Sequence, residues 1–130
     1  MEEITQQTLE EFIQKTDIQL KATQHKLCIP IINRIYHKMK YGIQFPPIKI
    51  CEDLIIDGHH RYISSLLAEI PIMQIPSLKT NATKSINWNE LSFDVNEWDT
   101  LSKIENLNRQ DAEHNNISLQ IIEKISTNKF

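Results

Sequence analysis

The spacing of hydrophobic residues changes twice near the start of the chain. Residues 1–15 carry apolar side chains at helical spacing, which predicts an amphipathic helix. Ile18 and Leu20 then alternate with polar neighbours, and this period of two predicts a half-exposed strand. The polar stretch 21–26 is typical of a turn, so we expect the strand to end there.

A proline and a glycine mark the two ends of the next predicted helix. Pro30 suits a first helical turn, where its missing N–H would have no partner in any case. Gly42 follows the last apolar residue, where a left-handed C-cap is expected. Between them the apolar face is formed by Ile31, Ile32, Ile35, Tyr36 and Met39.

The middle of the chain predicts two strands, a helix and a third strand. Residues 48–50 alternate and predict a strand, 52–53 are typical of a turn, and the apolar run 54–56 suits a buried strand. From Tyr62 the apolar spacing becomes helical. The segment 71–76 is bounded by prolines and predicts a short strand.

The C-terminal part predicts a loop followed by two helices. Residues 77–89 are polar and predict a loop, which is a candidate lid. One helix would be capped near Asn96, with Trp98 on its packing face and no ligand role, and a second carries isoleucines over 117–125. We therefore expect an α+β fold with a small mixed sheet flanked by helices and a C-terminal helical extension at about 96–127.

Length and composition limit the protein to one domain and exclude several kinds of site. With 130 residues the chain suits a single domain, and its net charge of −3 argues against nucleic-acid binding as the main role. The two glycines, against roughly nine in average usage, cannot form a GxGxxG or P-loop motif. Two cysteines without CxxC spacing indicate neither a disulfide framework nor a zinc site. The chain shows no export signal and no membrane span, so we expect a cytoplasmic protein.

Candidate chemistry concentrates where the strand period changes to the helix period, at 57–61. Gly58 allows a sharp turn, after which the first helix amides are unpaired donors that can bind an anion. His59, His60 and Arg61 would contact phosphate or stabilise charge during its transfer, and Asp57 could bind Mg²⁺ or accept a proton. The alternative is structural: Arg61 pairs with an aspartate and Asp57 only caps the helix.

The same stretch resembles the core of the ParB/sulfiredoxin superfamily over about residues 17–76. The resemblance rests on three segments: Pro46-Pro47-Ile48-Lys49-Ile50, Leu54-Ile55-Ile56-Asp57-Gly58-His59-His60-Arg61-Tyr62, and Leu66-Leu67-Ala68. Gly58 and Arg61 occupy the family's G-x-x-R box, which implies binding of nucleotide phosphates. Lys49, on the preceding strand, is a further candidate for the pocket.

A second segment resembles the E-N-x-x-R box of ParB proteins. It is Glu105-Asn106-Leu107-Asn108-Arg109, and the resemblance implies that Glu105, Asn106 and Arg109 contact the triphosphate, with Asn106 near its metal. The alternative is the polar end of an amphipathic helix.

Departures from the superfamily narrow the activities that the resemblance implies. His59 stands where sulfiredoxins have their catalytic cysteine, and an imidazole cannot replace that thiol. Few residues follow Arg109, so we do not expect the DNA-binding domain of chromosome-partitioning ParB proteins. The D-G-H-H-R form resembles that of free-serine kinases, but the turn that bears their acidic base offers Gln24 here. Asp57 or another carboxylate would therefore have to serve as the base.

Three hypotheses follow from the sequence. The first is an ATP- or CTP-dependent phosphotransferase or nucleotide switch that uses Mg²⁺, with a small hydroxyl compound as acceptor. The second is an interaction protein, such as an antitoxin, an immunity protein or a regulatory partner, that retains the fold. The third and weakest is a DNA-associated protein or nuclease, which the negative net charge does not favour.

Overall fold

A computed structural model describes residues 2–127 and shows an α+β fold. Over these residues the helices are α1 (Gln6–Lys15), α2 (Ile29–Tyr41), α3 (His59–Ala68), α4 (Leu101–Asn115) and α5 (Leu119–Thr127). The strands are β1 (Lys26–Cys28), β2 (Ile48–Cys51), β3 (Leu54–Asp57), β4 (Gln74–Pro76) and β5 (Ser92–Asp94), and a 3₁₀ turn spans Trp88–Glu90. The predicted fold class is confirmed.

The strands form two small sheets. The larger has the order β3-β2-β4, with β2 antiparallel to β3 and parallel to β4, and is the mixed sheet that the sequence predicted. In the smaller sheet β1 pairs with β5 in parallel, in the register Lys26 to Ser92. The sequence did not predict this second sheet, because its short strands pair residues that lie far apart in the chain.

Both ends of α2 lie where the sequence placed them. Pro30 occupies the first turn, and Gly42 caps the C-terminus with a φ of 103°. A left-handed cap satisfies the last carbonyl groups of a helix, and Gly42 donates its N–H to the carbonyl groups of Lys38 and Met39. These two predictions are confirmed.

The strand predicted at Ile18 and Leu20 is wrong. In the structure residues 18–20 belong to no strand, and the isolated bridges nearby, from Lys21 to Leu54 and from Ala22 to Ile86, start within the predicted turn. Leu20 is buried and Ile18 is half-buried, so the alternating pattern reflects which side chains are buried. A strand also requires a neighbouring strand with which its backbone forms a continuous series of hydrogen bonds. The first true strand, β1, begins inside the stretch 21–26 that the sequence predicted as a turn.

The predicted start of the first C-terminal helix is also wrong. Thr100, not Asn96, is the N-cap, and its hydroxyl group accepts a hydrogen bond from the Lys103 amide at 3.1 Å. Asn96 instead donates its amide to the Asp94 carboxylate, which forms a local turn after β5. Trp98 therefore lies before the helix rather than on its packing face.

The core contains two hydrophobic clusters. The larger includes buried side chains from α1, α2, α3, β2 and β3, and extends to Phe93 in β5. The smaller holds α4 and α5 against the end of α2 through Ile43, Ala112, Ile122 and Ile125. Phe45 packs against both clusters. None of the helices within residues 2–127 has the length and apolar content required to cross a membrane.

Candidate functional site

A cleft of about 580 Å³ lies between the N-terminus of α3, one face of α2 and one face of α4. Its volume is within the range of small-molecule sites. Its charged lining residues are Arg34, Lys38, Asp57, Arg61, Asp99, Lys103 and Asp111. Its apolar lining includes Ile31, Ile35, Phe45, Trp98, Ile104 and Leu107. The loop at 77–89, a candidate lid, contributes no lining residue.

Gly58 makes the sharp turn from β3 into α3 at the edge of this cleft. Its φ is 103°, and a Cβ at this position would approach Ile48 Cγ2 to 2.6 Å and Arg61 Nη2 to 2.8 Å. As the N-cap it offers no side-chain acceptor, and the first turn of α3 contains no acidic residue. The helix therefore begins with uncapped amides at the cleft, where its dipole favours a negative group.

Arg61 is a cleft cation with incomplete hydrogen bonding. Its Nη2 lies 3.6 Å from Asp57 Oδ2 and 3.4 Å from the carbonyl oxygen of Pro47. Both distances exceed the 2.7–2.9 Å expected of a charge-assisted bond. Its Nε is buried and has no hydrogen-bond partner among the described residues. The guanidinium thus has hydrogen-bonding capacity that its present neighbours do not use fully.

Asp57 ends β3 at the mouth of the cleft, with its side chain 65% exposed. The structural alternative from the sequence, pairing of Arg61 with Asp57, is present only as the long contact above. Lys49 is the ladder partner of Asp57 across β2 and β3, but it does not line the cleft.

His59 is 4% exposed and contacts the segment before β1. Its Nε2 accepts a hydrogen bond from the Thr23 amide at 2.9 Å, and the Thr23 hydroxyl group donates to the Ile55 carbonyl at 2.6 Å. Burial lowers the pKa of His59 to about 4, although the charge of Asp57 opposes this shift. The ring is therefore neutral near pH 7, with its proton on Nδ1.

His60 contacts the start of α2 through the same kind of hydrogen bond. Its Nε2 accepts a hydrogen bond from the Cys28 amide at 2.9 Å, and its ring meets that of Trp98 edge to face at 5.6 Å. Burial, with a smaller contribution from His59, lowers the pKa of His60 to about 4. Neither histidine is cationic at neutral pH, so any contact of theirs with phosphate would be made by a neutral ring. They position the segments around α3.

Ion pairs that the sequence did not predict hold α2 in place as one wall of the cleft. Lys38 is buried, and its Nζ lies 2.8 Å from Asn108 Oδ1 and 2.7 Å from Asp111 Oδ2. Burial lowers the pKa of Lys38, while the hydrogen bond to Asp111 opposes the shift. Arg34, one turn earlier, binds the carboxylates of Glu97 and Asp99. The spacing of four between Arg34 and Lys38 was a signal in the sequence that both face one direction.

The segment that resembles the E-N-x-x-R box lies on α4, but its three candidate residues are exposed and do not line the cleft: Glu105, Asn106 and Arg109. The intervening positions Leu107 and Asn108 line the cleft instead, together with Ile104, which precedes the segment. The structure therefore does not bring Asn106 to Asp57, its proposed partner in binding Mg²⁺. Within residues 2–127 no three His, Cys, Asp or Glu side chains converge as a metal site.

Comparisons with protein-family models, with curated proteins and with solved structures gave no significant match.

Proposed function

We propose that the protein binds a nucleotide in this cleft, with the phosphate groups at the N-terminus of α3. The observation that carries the proposal is Arg61, a cleft guanidinium with long contacts and a buried Nε that lacks an acceptor. It lies beside the uncapped first turn that follows Gly58. A resemblance to the ParB/sulfiredoxin superfamily in the same residues adds support.

The other cations of the cleft favour this position for the phosphate groups. Lys38 and Arg34 each bind a carboxylate at hydrogen-bonding distance, and Lys103 lies 3.2 Å from Asp99. A phosphate group near these residues would have to displace an existing ion pair. Among residues 2–127, the carboxylate contact of Arg61 is the long one to Asp57.

Binding is supported more directly than phosphoryl transfer. The two histidines are neutral, and their Nε2 atoms already accept backbone hydrogen bonds, so they do not supply charge to a reaction. Asp57 remains the candidate base for the phosphotransferase hypothesis, and it is the residue that would hold Mg²⁺ together with the nucleotide's own phosphates. ATP and CTP are the nucleotides to test.

The test is thermal unfolding with and without MgATP, MgCTP, MgADP and MgGTP. A nucleotide at 100 times its Kd should stabilise the fold by about 2.7 kcal/mol, which corresponds to a rise in Tm of about 10 °C. Arg61→Ala should weaken binding by about 10- to 150-fold, since it removes charge-assisted hydrogen bonds. Arg109→Ala is the matched control: it removes an exposed arginine outside the cleft and should leave affinity unchanged.

Two results would contradict the proposal. If none of the nucleotides stabilises the wild type, the cleft is not a nucleotide site. If Arg61→Ala folds and binds like the wild type while Arg109→Ala loses affinity, the nucleotide instead binds the outer face of α4.

A second candidate function, a protein-interaction domain, is favoured by exposed hydrophobic residues around β4. Met73 is 70% and Leu78 is 89% exposed, and Ile70 and Ile75 lie near them in the chain. Patches of this kind often mark protein interfaces. Native affinity purification of the wild type and of Met73→Asp tests this candidate. A specific partner retained by the wild type and lost with Met73→Asp would support it, and identical recoveries would count against it.

A further inference from the structure

We propose that Trp98 is the surface on which the base of the bound nucleotide stacks, an inference that rests on the proposed nucleotide-binding function. Trp98 lines the same cleft as Gly58 and Arg61, and it is 40% exposed. The other tryptophan, Trp88, is buried, and its indole donates to the Leu20 carbonyl at 2.8 Å. Trp98 is therefore the tryptophan that a ligand in the cleft can reach.

The indole of Trp98 is held in place by two contacts. Its Nε1 donates a hydrogen bond to Asp94 Oδ2 at 2.9 Å. Its ring also packs against the His60 imidazole in a T-shaped contact, with an angle of 86° between the two planes. An aromatic ring fixed in this way loses little conformational entropy when a ligand stacks on it.

The backbone on both sides of Trp98 is attached to the wall of the cleft. Arg34 of α2 binds the carboxylate of Glu97 and, at 3.1 Å, that of Asp99. The Asp99 side chain is only 6% exposed and also pairs with Lys103 in the first turn of α4. The residues before and after Trp98 are thus fixed to two helices, which positions the indole before any ligand arrives.

The polar and apolar parts of the cleft lining match the two parts of a nucleotide. Gly58 and Arg61 provide backbone donors and a cation for phosphate groups. Trp98 contacts His60, the neighbour of Arg61 in sequence, so the aromatic surface begins beside the phosphate end. Ile31 and Leu107 add apolar lining to the same cleft. A flat, uncharged base attached to phosphate groups fits this division of polar and apolar surface better than a phosphate compound without a ring.

The inference is tested by measuring the affinities of MgATP, MgCTP and inorganic tripolyphosphate by calorimetry. Trp98→Ala should weaken nucleotide binding by about 5- to 150-fold, the range for loss of one base–aromatic stack, and leave tripolyphosphate binding unchanged. Trp98→Phe keeps a ring but removes the hydrogen bond to Asp94, so it should retain most of the affinity. Arg61→Ala should weaken both kinds of ligand.

Tryptophan fluorescence provides a second readout. A saturating nucleotide should change the emission of the wild type but not that of Trp98→Phe, in which the buried Trp88 is the remaining tryptophan.

The outcomes separate this inference from the proposed function. If the wild type binds nucleotide but Trp98→Ala binds equally well, or loses tripolyphosphate to the same extent, stacking on Trp98 is refuted and the nucleotide site stands. Unchanged wild-type emission at saturation refutes it in the same way. If no nucleotide binds the wild type, both the inference and the proposed function are refuted.

Discussion

The two histidines at the start of α3 should make the protein lose stability in mild acid. Burial lowers the pKa of His59 and of His60 to about 4 in the folded protein. In the unfolded chain both groups return to about 6.5. Between these values the unfolded chain binds more protons, so the stability is fully present above about pH 6.5 and is lost as the pH falls toward 4.

The size of the effect follows from the same pKa difference. Lowering the pH from 7 to 5 should reduce the free energy of unfolding by about 2 kcal/mol for each histidine, or about 4 kcal/mol for the pair. This is a large share of the 5–15 kcal/mol typical of a folded domain. It corresponds to a decrease in Tm on the order of 15 °C.

Urea unfolding at pH 7 and pH 5 measures this loss directly. His59→Gln and His60→Gln each keep a side-chain acceptor for the backbone amide but remove the titrating group. Each substitution should remove about half of the pH dependence, and the double variant should lose nearly all of it. His25→Gln, at an exposed position, is the control and should behave like the wild type. A double variant that retains the full loss between pH 7 and pH 5 would refute the reasoning.

Two further predictions concern stability. Gly58→Ala should destabilise the protein by about 2–4 kcal/mol, because the left-handed backbone and the 2.6 Å approach to the buried Ile48 both oppose a Cβ. Gly42→Ala, with the same φ but no atom within 4 Å, should cost only about 1 kcal/mol, and equal losses in chemical denaturation would contradict this difference. Lys38→Met should lower the free energy of unfolding by about 3–5 kcal/mol, because it leaves Asp111 without its cation. Adding Asp111→Leu should restore most of that free energy. A double variant no more stable than Lys38→Met would contradict the second expectation.

Several elements followed from the sequence because their determinants are local. The helix between Pro30 and Gly42 is bounded by residues with fixed backbone preferences, and such preferences act without distant partners. The change from strand to helix at Gly58 was visible as a change in apolar spacing. The same change in apolar spacing also identified the start of α3, whose uncapped amides belong to the proposed nucleotide site.

Elements that depend on distant partners did not follow from the sequence. The ladder between β1 and β5 joins Lys26 to Ser92, and no short-range pattern specifies such a pairing. The strand expected at Ile18 failed for the same reason, since alternation does not create a neighbouring strand.

The sequence was enough to place Asp57, Gly58 and Arg61 together at a strand-to-helix junction, because residues this close in a turn cannot separate. The surroundings of these three residues depend instead on packing between distant segments. The rotation of α4 places Asn108 in the cleft and leaves Arg109 outside it, since adjacent helical residues point about 100° apart. Burial, which depends on packing across the whole chain, decided that the neighbouring histidines are neutral and that one tryptophan is open to a ligand.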